Sequence, residues 1–397
     1  MKDKSDYVVI SLVALAHGTS HFFQLIVAPL FPLIKEELGV SYAALGFGVS
    51  LFYALSALLQ PVAGFVVDRF GARGVLLGGV GLLAGGTFLA AASGSYALLV
   101  IGMALAGAGN SVFHPSDFSI LNARVGSSRL GYAYSAHGVA GSLGYAAAPV
   151  FSGALGALFG WHAALYAASG VGFAVLLLLL LNSSRFAISR ETGSERKPPA
   201  AHDFRVLFVA PVVLCFLYFA VYAAGLAGLQ SFSVTAMTVQ YGVTAALASG
   251  ALTAYMIGSA SGIFVGGFIA ARAGRHDLVA ASGLALGSLW ILLVAANAVP
   301  GAALPVLLAL AGFCVGATGP SRDLIVRAST PPGATGRVYG FVYSGLDVGS
   351  LSTPVFYGWL MDHDLPQGVF YTVFGLTALA IFTVLQLPGR ARSPAPT

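Results

Sequence analysis

Residues 104–117 read ALAGAGNSVFHPSD, and the much later residues 309–322 read ALAGFCVGATGPSR. The match continues without a gap to Pro149-Val-Phe-Ser-Gly153, which returns as Pro354-Val-Phe-Tyr-Gly358. Shared composition alone would not place two prolines and several glycines in one strict register. We therefore infer an internal duplication, and a repeat of this kind governs the interpretation of the whole fold.

The two copies differ at positions that carry a charge or an imidazole in an otherwise apolar stretch. His114 becomes Gly319, Asp117 becomes Arg322, and Ser142 becomes Asp347. A symmetric scaffold thus carries asymmetric charge, and we expect function to reside where the copies differ.

The composition predicts a membrane protein built of helices. Only 8% of the 397 residues are charged and 57% are hydrophobic, whereas a soluble protein carries about 25% charged residues. A helix needs about 20 apolar residues to cross the hydrocarbon core, and open strands are excluded there because their backbone groups would stay unpaired. A membrane β-barrel would show short segments of alternating polarity, which the continuous apolar run from Val171 to Leu181 lacks.

The apolar runs predict twelve membrane-spanning helices. The first run, from about Tyr7 to Leu33, is too long for a signal peptide. Of the 19 Lys and Arg residues, all but Lys35 and Arg322 fall on one predicted side of the membrane. By the positive-inside rule this side is cytoplasmic, so both termini are expected in the cytoplasm and the protein in a bacterial-type inner membrane.

The long polar segment between spans six and seven predicts two domains. Residues 1–182 are expected to form an N-terminal six-helix bundle, residues 183–205 a cytoplasmic linker, and residues 206–397 a C-terminal six-helix bundle. Because six spans separate equivalent points, the repeats run parallel. They predict a pseudo-twofold axis along the membrane normal and a central site between the halves.

A loop between spans two and three carries a resemblance to a known family. Gly64-Phe-Val-Val-Asp68-Arg69-Phe-Gly71-Ala-Arg73 resembles the signature loop of the major facilitator superfamily. The resemblance implies alternating access, a cavity lined by spans one, four, seven and ten, and a gating loop. The gating residues would be Gly64, Asp68, Arg69, Gly71 and Arg73. The Asp68 carboxylate could then meet the positive N-terminal end of span eleven, near Gly333.

Span four narrows the resemblance within this superfamily. Gly109-Asn-Ser-Val-Phe113-His114-Pro115 resembles the fosmidomycin resistance group of drug:proton antiporters. In that group an acidic residue directly follows the proline, whereas Ser116 stands between Pro115 and Asp117 here.

Ionisable residues inside membrane spans are costly and mark functional sites by default. His114 and Asp117 are three residues apart and share one helix face, so we interpret them as a proton-coupling pair, with Asp347 as a second protonation site. The alternatives are structural contacts, such as a bond from Asp117 to Arg124 or pairing of Asp347 with a polar neighbour.

Substrate binding is predicted for a second set of polar side chains. Arg322 presents a planar fork that suits anions, although it could instead pair with Asp117. His17, His21 and Gln24 recur at i, i+4 and i+7 on span one, and bonds between helices are the alternative for this stripe. The predicted substrate-binding residues are Arg322, His17, His21, Gln24, Asn110, His137 and Tyr134.

The sequence contains no zinc-type His/Cys spacing, phosphate-binding Gly-rich loop or nucleophile elbow, so no metal, cofactor or enzymatic activity is predicted. The function that fits best is proton-coupled export of a small polar or anionic compound such as an antibiotic. The alternatives are proton-coupled uptake of small organic anions (carboxylates or phosphonates) and a non-transporting membrane sensor. The expected partners are a small-molecule substrate, protons and the lipid bilayer. The protein is expected to be a monomer. Binding of nucleic acid is not expected, because the basic residues lie mainly in loops, where membrane topology accounts for them.

Overall fold

A computed structural model describes residues 2–126, 129–186, 207–330 and 335–387, except for a few side chains within these ranges. Every regular element in these ranges is helical. The α-helices are α1 Lys2–Leu25, α2 Phe31–Leu38, α3 Tyr42–Phe70, α4 Ala72–Ala91, α5 Tyr96–Asn110, α6 Phe113–Arg124, α7 Leu130–Leu181, α8 Ala210–Tyr241, α9 Ala245–Arg272, α10 His276–Ala295, α11 Leu304–Gly316, α12 Gly319–Ser329, α13 Thr335–Ser352, α14 Pro354–Asp362 and α15 Pro366–Leu385.

Ten stretches within the described ranges are long and apolar enough to cross a membrane. One of them, Ser135–Leu181 in α7, has 47 residues and would extend about 70 Å, more than twice the hydrocarbon thickness. Gly160 interrupts it with a φ of 80°, a conformation that favours glycine, so α7 comprises two spans. The paired helices α13 and α14 supply a further span, which gives the predicted twelve.

The duplicated stretch is interrupted at the same point in both copies. α5 gives way to α6 just before Pro115, and α11 gives way to α12 just before Pro320. Each proline lies in the first turn of the following helix, where its missing N–H removes no intrahelical bond. Asp117 and Arg322, which differ between the copies, therefore lie on short helices that begin inside a span.

The helices pack as two equivalent bundles. In the first half α1 packs on α7, and α4 packs on α5 and α7; in the second half α8 packs on α13 and α15, and α10 packs on α11 and α15. Each contact of the first half thus has a counterpart in the second, as the pseudo-twofold arrangement requires. The domain limits themselves remain a prediction, since most of the linker lies outside the described residues.

The halves contact each other mainly through α3 with α13 and α14, and through α7 with α9. Close backbone approach is possible there because the contacting residues are glycines. A Cβ on Gly46 would lie 2.3 Å from the carbonyl oxygen of Pro354, and one on Gly358 would lie 2.4 Å from that of Tyr42. Both contacts involve the first turns of α3 and residues of α14. The end of the molecule where α3 begins and α14 ends, away from the start of α1, is called the distal end.

Candidate functional site

Asp117 is the centre of a buried polar cluster in the first half. Its side chain is fully buried, and its Oδ2 lies 3.1 Å from His137 Nε2 and 3.4 Å from His17 Nδ1. The first contact is a hydrogen bond, whereas His17 Nδ1 makes none. The two imidazole rings stack with their centroids 3.5 Å apart. One carboxylate on α6 therefore contacts imidazoles from both α1 and α7.

Two further histidines complete this histidine–aspartate cluster, which consists of His17, His21, His114, Asp117 and His137. The ring centroid of His21 lies 4.4 Å from that of His17. The ring centroid of His114 lies 5.3 Å from that of His17, with the two rings edge-on. His114 is exposed, whereas His17 and His137 are buried. The structure thus brings together the predicted proton-coupling pair and three predicted substrate-binding histidines. Their roles in proton or substrate binding remain predictions.

Glycines on α7 make room for this cluster. A Cβ on Gly141 would lie 2.8 Å from His21 Nδ1 and 3.1 Å from His17 Cδ2, so no side chain fits beside the two rings. One turn further along, a Cβ on Gly144 would lie 2.0 Å from the carbonyl oxygen of Gly18. The close approach of α1 and α7 therefore positions the histidines of α1 against α7.

Gln24 and Asn110 lie in a hydrogen-bond network beside the cluster. Asn110 Oδ1 accepts bonds from Ser20 Oγ at 2.7 Å and from Gln24 Nε2 at 3.3 Å, while its Nδ2 donates to Ser56 Oγ at 2.9 Å. The hydroxyl of Tyr145 donates to Gln24 Oε1 at 2.5 Å. These bonds connect α1, α3, α5 and α7, as the alternative of bonds between helices expects. A substrate contact for Gln24 and Asn110 remains a prediction.

Arg322 lies in an aromatic environment in the second half. Its guanidinium carbon lies 5.0 Å from the ring centroid of Phe219 and 5.4 Å from that of Tyr222, both on α8. The side chain is 20% exposed, and its nearest carboxylate oxygen, Asp323 Oδ1, is 3.7 Å from Nε. That Nε is buried without a hydrogen-bond partner among the described residues. The arginine thus combines cation–π contacts with a long ion pair to Asp323, and its Nε donates no hydrogen bond among the described residues.

Two sequence-based alternatives for Asp117 are wrong. Asp117 does not pair with Arg322, because its carboxylate contacts His17 and His137 instead. It does not bond to Arg124 either. The sequence placed Asp117 and Arg322 at one depth in equivalent helices, but depth does not specify which neighbouring helix each side chain meets.

Asp347 on α13 faces the other half of the molecule. It makes no hydrogen bond or ion pair with any residue that the structure describes, and it lies within electrostatic range of the hydroxyls of Tyr53 on α3 and Tyr145 on α7. One turn earlier on α13, Tyr343 donates a 2.8 Å hydrogen bond to Asp323, the neighbour of Arg322. The unpaired carboxylate and that arginine therefore lie on adjoining helices.

The signature loop joins α3 to α4 through Gly71. This residue has a φ of 90°, in the left-handed region that favours glycine, which accounts for a glycine directly between Phe70 and Ala72. The guanidinium of Arg69 lies 5.5 Å from the Phe70 ring, and Arg73 is exposed. The loop is thus a tight turn with two basic side chains.

Some predicted residues are not tested by the structure. Gly64 lies on α3 before the loop, and a Cβ there would meet nothing within 4 Å. Its predicted gating role therefore has no close contact to support it. The side chains of Asp68 and Tyr134, and the whole of residues 331–334, lie outside the described residues. The gating contact of Asp68 and the substrate contact of Tyr134 therefore remain predictions.

Asp362 is a charged contact between the halves that the sequence did not predict. Its Oδ1 accepts bonds from the backbone N–H of Tyr42 at 2.8 Å and from Lys35 Nζ at 3.1 Å, and its Oδ2 accepts one from the N–H of Ala43 at 2.8 Å. Lys35 is a basic residue that the sequence does not place on the predicted cytoplasmic side. In the sequence Asp362 is recognisable only as an acidic residue at the end of a predicted span, and this does not indicate which residues it contacts.

Comparisons with known proteins agree with this architecture. The family model described as Major Facilitator Superfamily matches residues 13–242 and 223–397. The fosmidomycin resistance protein of Escherichia coli (strain K12) is 25% identical over 393 residues, which cover 96% of this chain and 93% of the relative. A multidrug resistance protein B homolog of Mycobacterium tuberculosis is 26% identical over 185 residues, 46% of this chain and 32% of the relative.

The fold is also similar to solved structures. A bacterial homolog of the human lysosomal transporter Spinster, in an inward-facing and occupied conformation, superposes with a TM-score of 0.80 at 17% identity, covering 98% of this chain and 99% of that one. The inward-facing and unoccupied conformation gives a TM-score of 0.77 at 18% identity. At these identities the likeness concerns the fold alone.

Proposed function

The chain belongs to the major facilitator superfamily, and on that premise we propose that it exports a small anionic compound in exchange for protons. Proteins of this family are multi-pass membrane transporters. In the mechanism we propose, the two bundles move against each other around a central site, and one anion and the coupling proton are bound in turn.

The observation that carries the proposal is a pair of ionisable side chains in the second half: Arg322, whose Nε has no hydrogen-bond partner among the described residues, and Asp347, whose carboxylate has none there either. Charged groups inside membrane spans are costly, and they persist where they bind ions or substrates. The Nε of Arg322 has no hydrogen-bond partner among the described residues, Asp323 Oδ1 lies 3.7 Å from it, and the guanidinium lies against two aromatic rings. A planar guanidinium with free donors suits a carboxylate or a phosphonate bound by two parallel bonds.

Asp347 supplies the proton site in this proposal. No cation among the described residues pairs with its carboxylate, and an unpaired charge inside a span is costly, so we assign the coupling proton to it. It faces the tyrosines of the other half, and it therefore lies where relative motion of the bundles would change its access to water. The similarity to a fosmidomycin resistance protein supports a compound of the antibiotic class as cargo and export as the direction.

Transport in proteoliposomes tests the proposal. The full chain is reconstituted, a pH gradient of either sign is imposed, and uptake of labelled carboxylates, phosphonates and neutral analogues into the lumen is followed. Exchange for protons predicts accumulation of an anion only when the lumen is the more acidic side, whichever way the protein is inserted. Accumulation only from an acidic outside would instead establish cotransport, which is the uptake alternative. Absence of flux for every probe under both gradients would favour the sensor alternative.

The matched control for the anion site is Arg272, which is exposed and, among the described residues, donates to a carbonyl of its own helix. Vesicles with Arg322→Ala should lose anion accumulation, whereas vesicles with Arg272→Ala should keep it. Equal loss in both variants would show that the effect reflects folding or insertion, and it would remove the support for an anion site at Arg322.

A further inference from the structure

The histidine–aspartate cluster has the donor set of a transition-metal site, and we propose that it binds one Zn²⁺ ion through His17 Nδ1, Asp117 Oδ2 and His137 Nε2. This site lies in the first half and is separate from the anion and proton sites proposed above. Its test does not depend on transport.

The spacing of the three donor atoms fits such an ion. Zinc binds imidazole nitrogen at about 2.0–2.1 Å and carboxylate oxygen at about 2.0–2.2 Å, usually in a tetrahedron, which places neighbouring donor atoms roughly 3.3–3.5 Å apart. The two distances from Asp117 Oδ2 are 3.1 Å to His137 and 3.4 Å to His17. All three donor atoms lie within 4.8 Å of one another. For both nitrogens to bind one ion, the stacked rings of His17 and His137 would have to turn away from each other.

The chemistry of the cluster also favours a bound cation. Two imidazoles and a carboxylate form a donor set that zinc uses when a fourth position stays open. His17 also groups with His21 and His114, whose donor atoms lie within 4.8 Å of one another. Both rings lie beside the ring of His17, and the exposed His114 connects the cluster to its surroundings.

Unused polar atoms inside the cluster provide the independent argument. Within the described part of the chain, His17 Nδ1, His21 Nδ1 and Asp117 Oδ1 are buried without a hydrogen-bond partner. Buried polar atoms are nearly always satisfied, so these three atoms need an explanation. A cation bound by His17, Asp117 and His137 would give the His17 nitrogen a partner and would balance the buried carboxylate.

A bound ion would connect three helices of the first half. His17 is on α1, Asp117 on α6 and His137 on α7. An ion that binds the folded protein but not the unfolded chain raises the folding stability. We therefore expect Zn²⁺ to raise the melting temperature as well as to bind stoichiometrically.

Cobalt titration of the purified, chelator-treated full chain tests the site, because tetrahedral Co²⁺ has visible absorption bands and Zn²⁺ does not. We expect one Co²⁺ per chain, displaced by Zn²⁺. The variants His137→Gln and Asp117→Asn should each lower the affinity at least about tenfold. The matched control is His276→Gln, because His276 is as buried as His137 but hydrogen-bonds to Ser321 and belongs to no cluster of metal-binding side chains among the described residues; this variant should bind like the unmodified protein.

Two results would overturn the proposal. The first is an unmodified protein, monodisperse in size-exclusion chromatography, that binds no stoichiometric Co²⁺ and whose melting temperature Zn²⁺ does not raise. The second is binding that His17→Gln, His137→Gln and Asp117→Asn leave unchanged, which would place the ion elsewhere. The first result is measured on the unmodified chain, so it cannot be attributed to misfolding of a variant.

Discussion

The carboxylate of Asp362, at the end of α14, accepts a 2.8 Å hydrogen bond from the backbone N–H of Tyr42, the first residue of α3. A second bond of 2.8 Å comes from the N–H of the next residue, Ala43. The first N–H groups of a helix have no partner within it and carry a partial positive charge. One aspartate of the second half therefore caps a helix of the first, and this contact joins the halves at the distal end.

Asp362→Asn should weaken this closure. Hydrogen bonds to a charged group contribute about 1.5–3 kcal/mol, so the population open at the distal end should rise by roughly 10–100-fold. Spin labels at the exposed positions 36 and 367, one in each half, would report the separation. We expect a longer distance component in Asp362→Asn. The control is Asp364→Asn, an exposed residue two positions further on; equal distance distributions in both variants would refute a closing role.

Gly144→Ala should destabilise the first half. The added Cβ would lie 2.0 Å from the carbonyl oxygen of Gly18, and neither backbone can yield without separating α1 from α7. Overpacking of this kind costs about 1–3 kcal/mol. Gly138→Ala on the same helix is the matched control, since a Cβ there meets nothing within 4 Å. Thermal unfolding in detergent should show a lower melting temperature for Gly144→Ala alone.

Arg322→Lys should weaken anion binding while the positive charge is kept. Lysine cannot present two parallel donors to one anion, and it packs differently against the rings of Phe219 and Tyr222. The affinity for a carboxylate or phosphonate substrate should fall by about 1.5–3 kcal/mol, roughly 10–100-fold. Equilibrium binding to purified protein measures this loss. Unchanged affinity, with Arg272→Lys as the reference, would mean that the anion binds elsewhere.

Asp347→Asn should separate exchange from driven transport. The amide resembles a protonated carboxyl and cannot release a proton, so substrate should still exchange for substrate, whereas accumulation driven by the pH gradient should be lost. Asp347→Glu keeps the carboxylate and should retain part of the driven transport. Both activities are measured in the same proteoliposomes. Accumulation by Asp347→Asn against a substrate gradient would show that the coupling proton binds at another residue.

Features that depend on neighbouring residues along the chain could be predicted from the sequence. The twelve spans follow from local hydropathy, and the interruptions before Pro115 and Pro320 occur in a stretch whose register the duplication had already revealed. The stripe of His17 and His21 follows from the helical period. A glycine at position 71 is compatible with a turn in the sequence, but the need for glycine there follows from its φ of 90°, which only the structure shows.

The partners of the charged side chains were decided only by the tertiary structure. The sequence allowed Asp117 to meet Arg322 or Arg124, but the packing of α1 against α7 at Gly18 and Gly144 brings histidines to the aspartate instead. Hydropathy sets how deep a residue lies in a helix and not the rotation of that helix against its neighbours. This rotation depends on which small residues let two backbones approach, and it places four histidines and one aspartate, from three helices, around a single point.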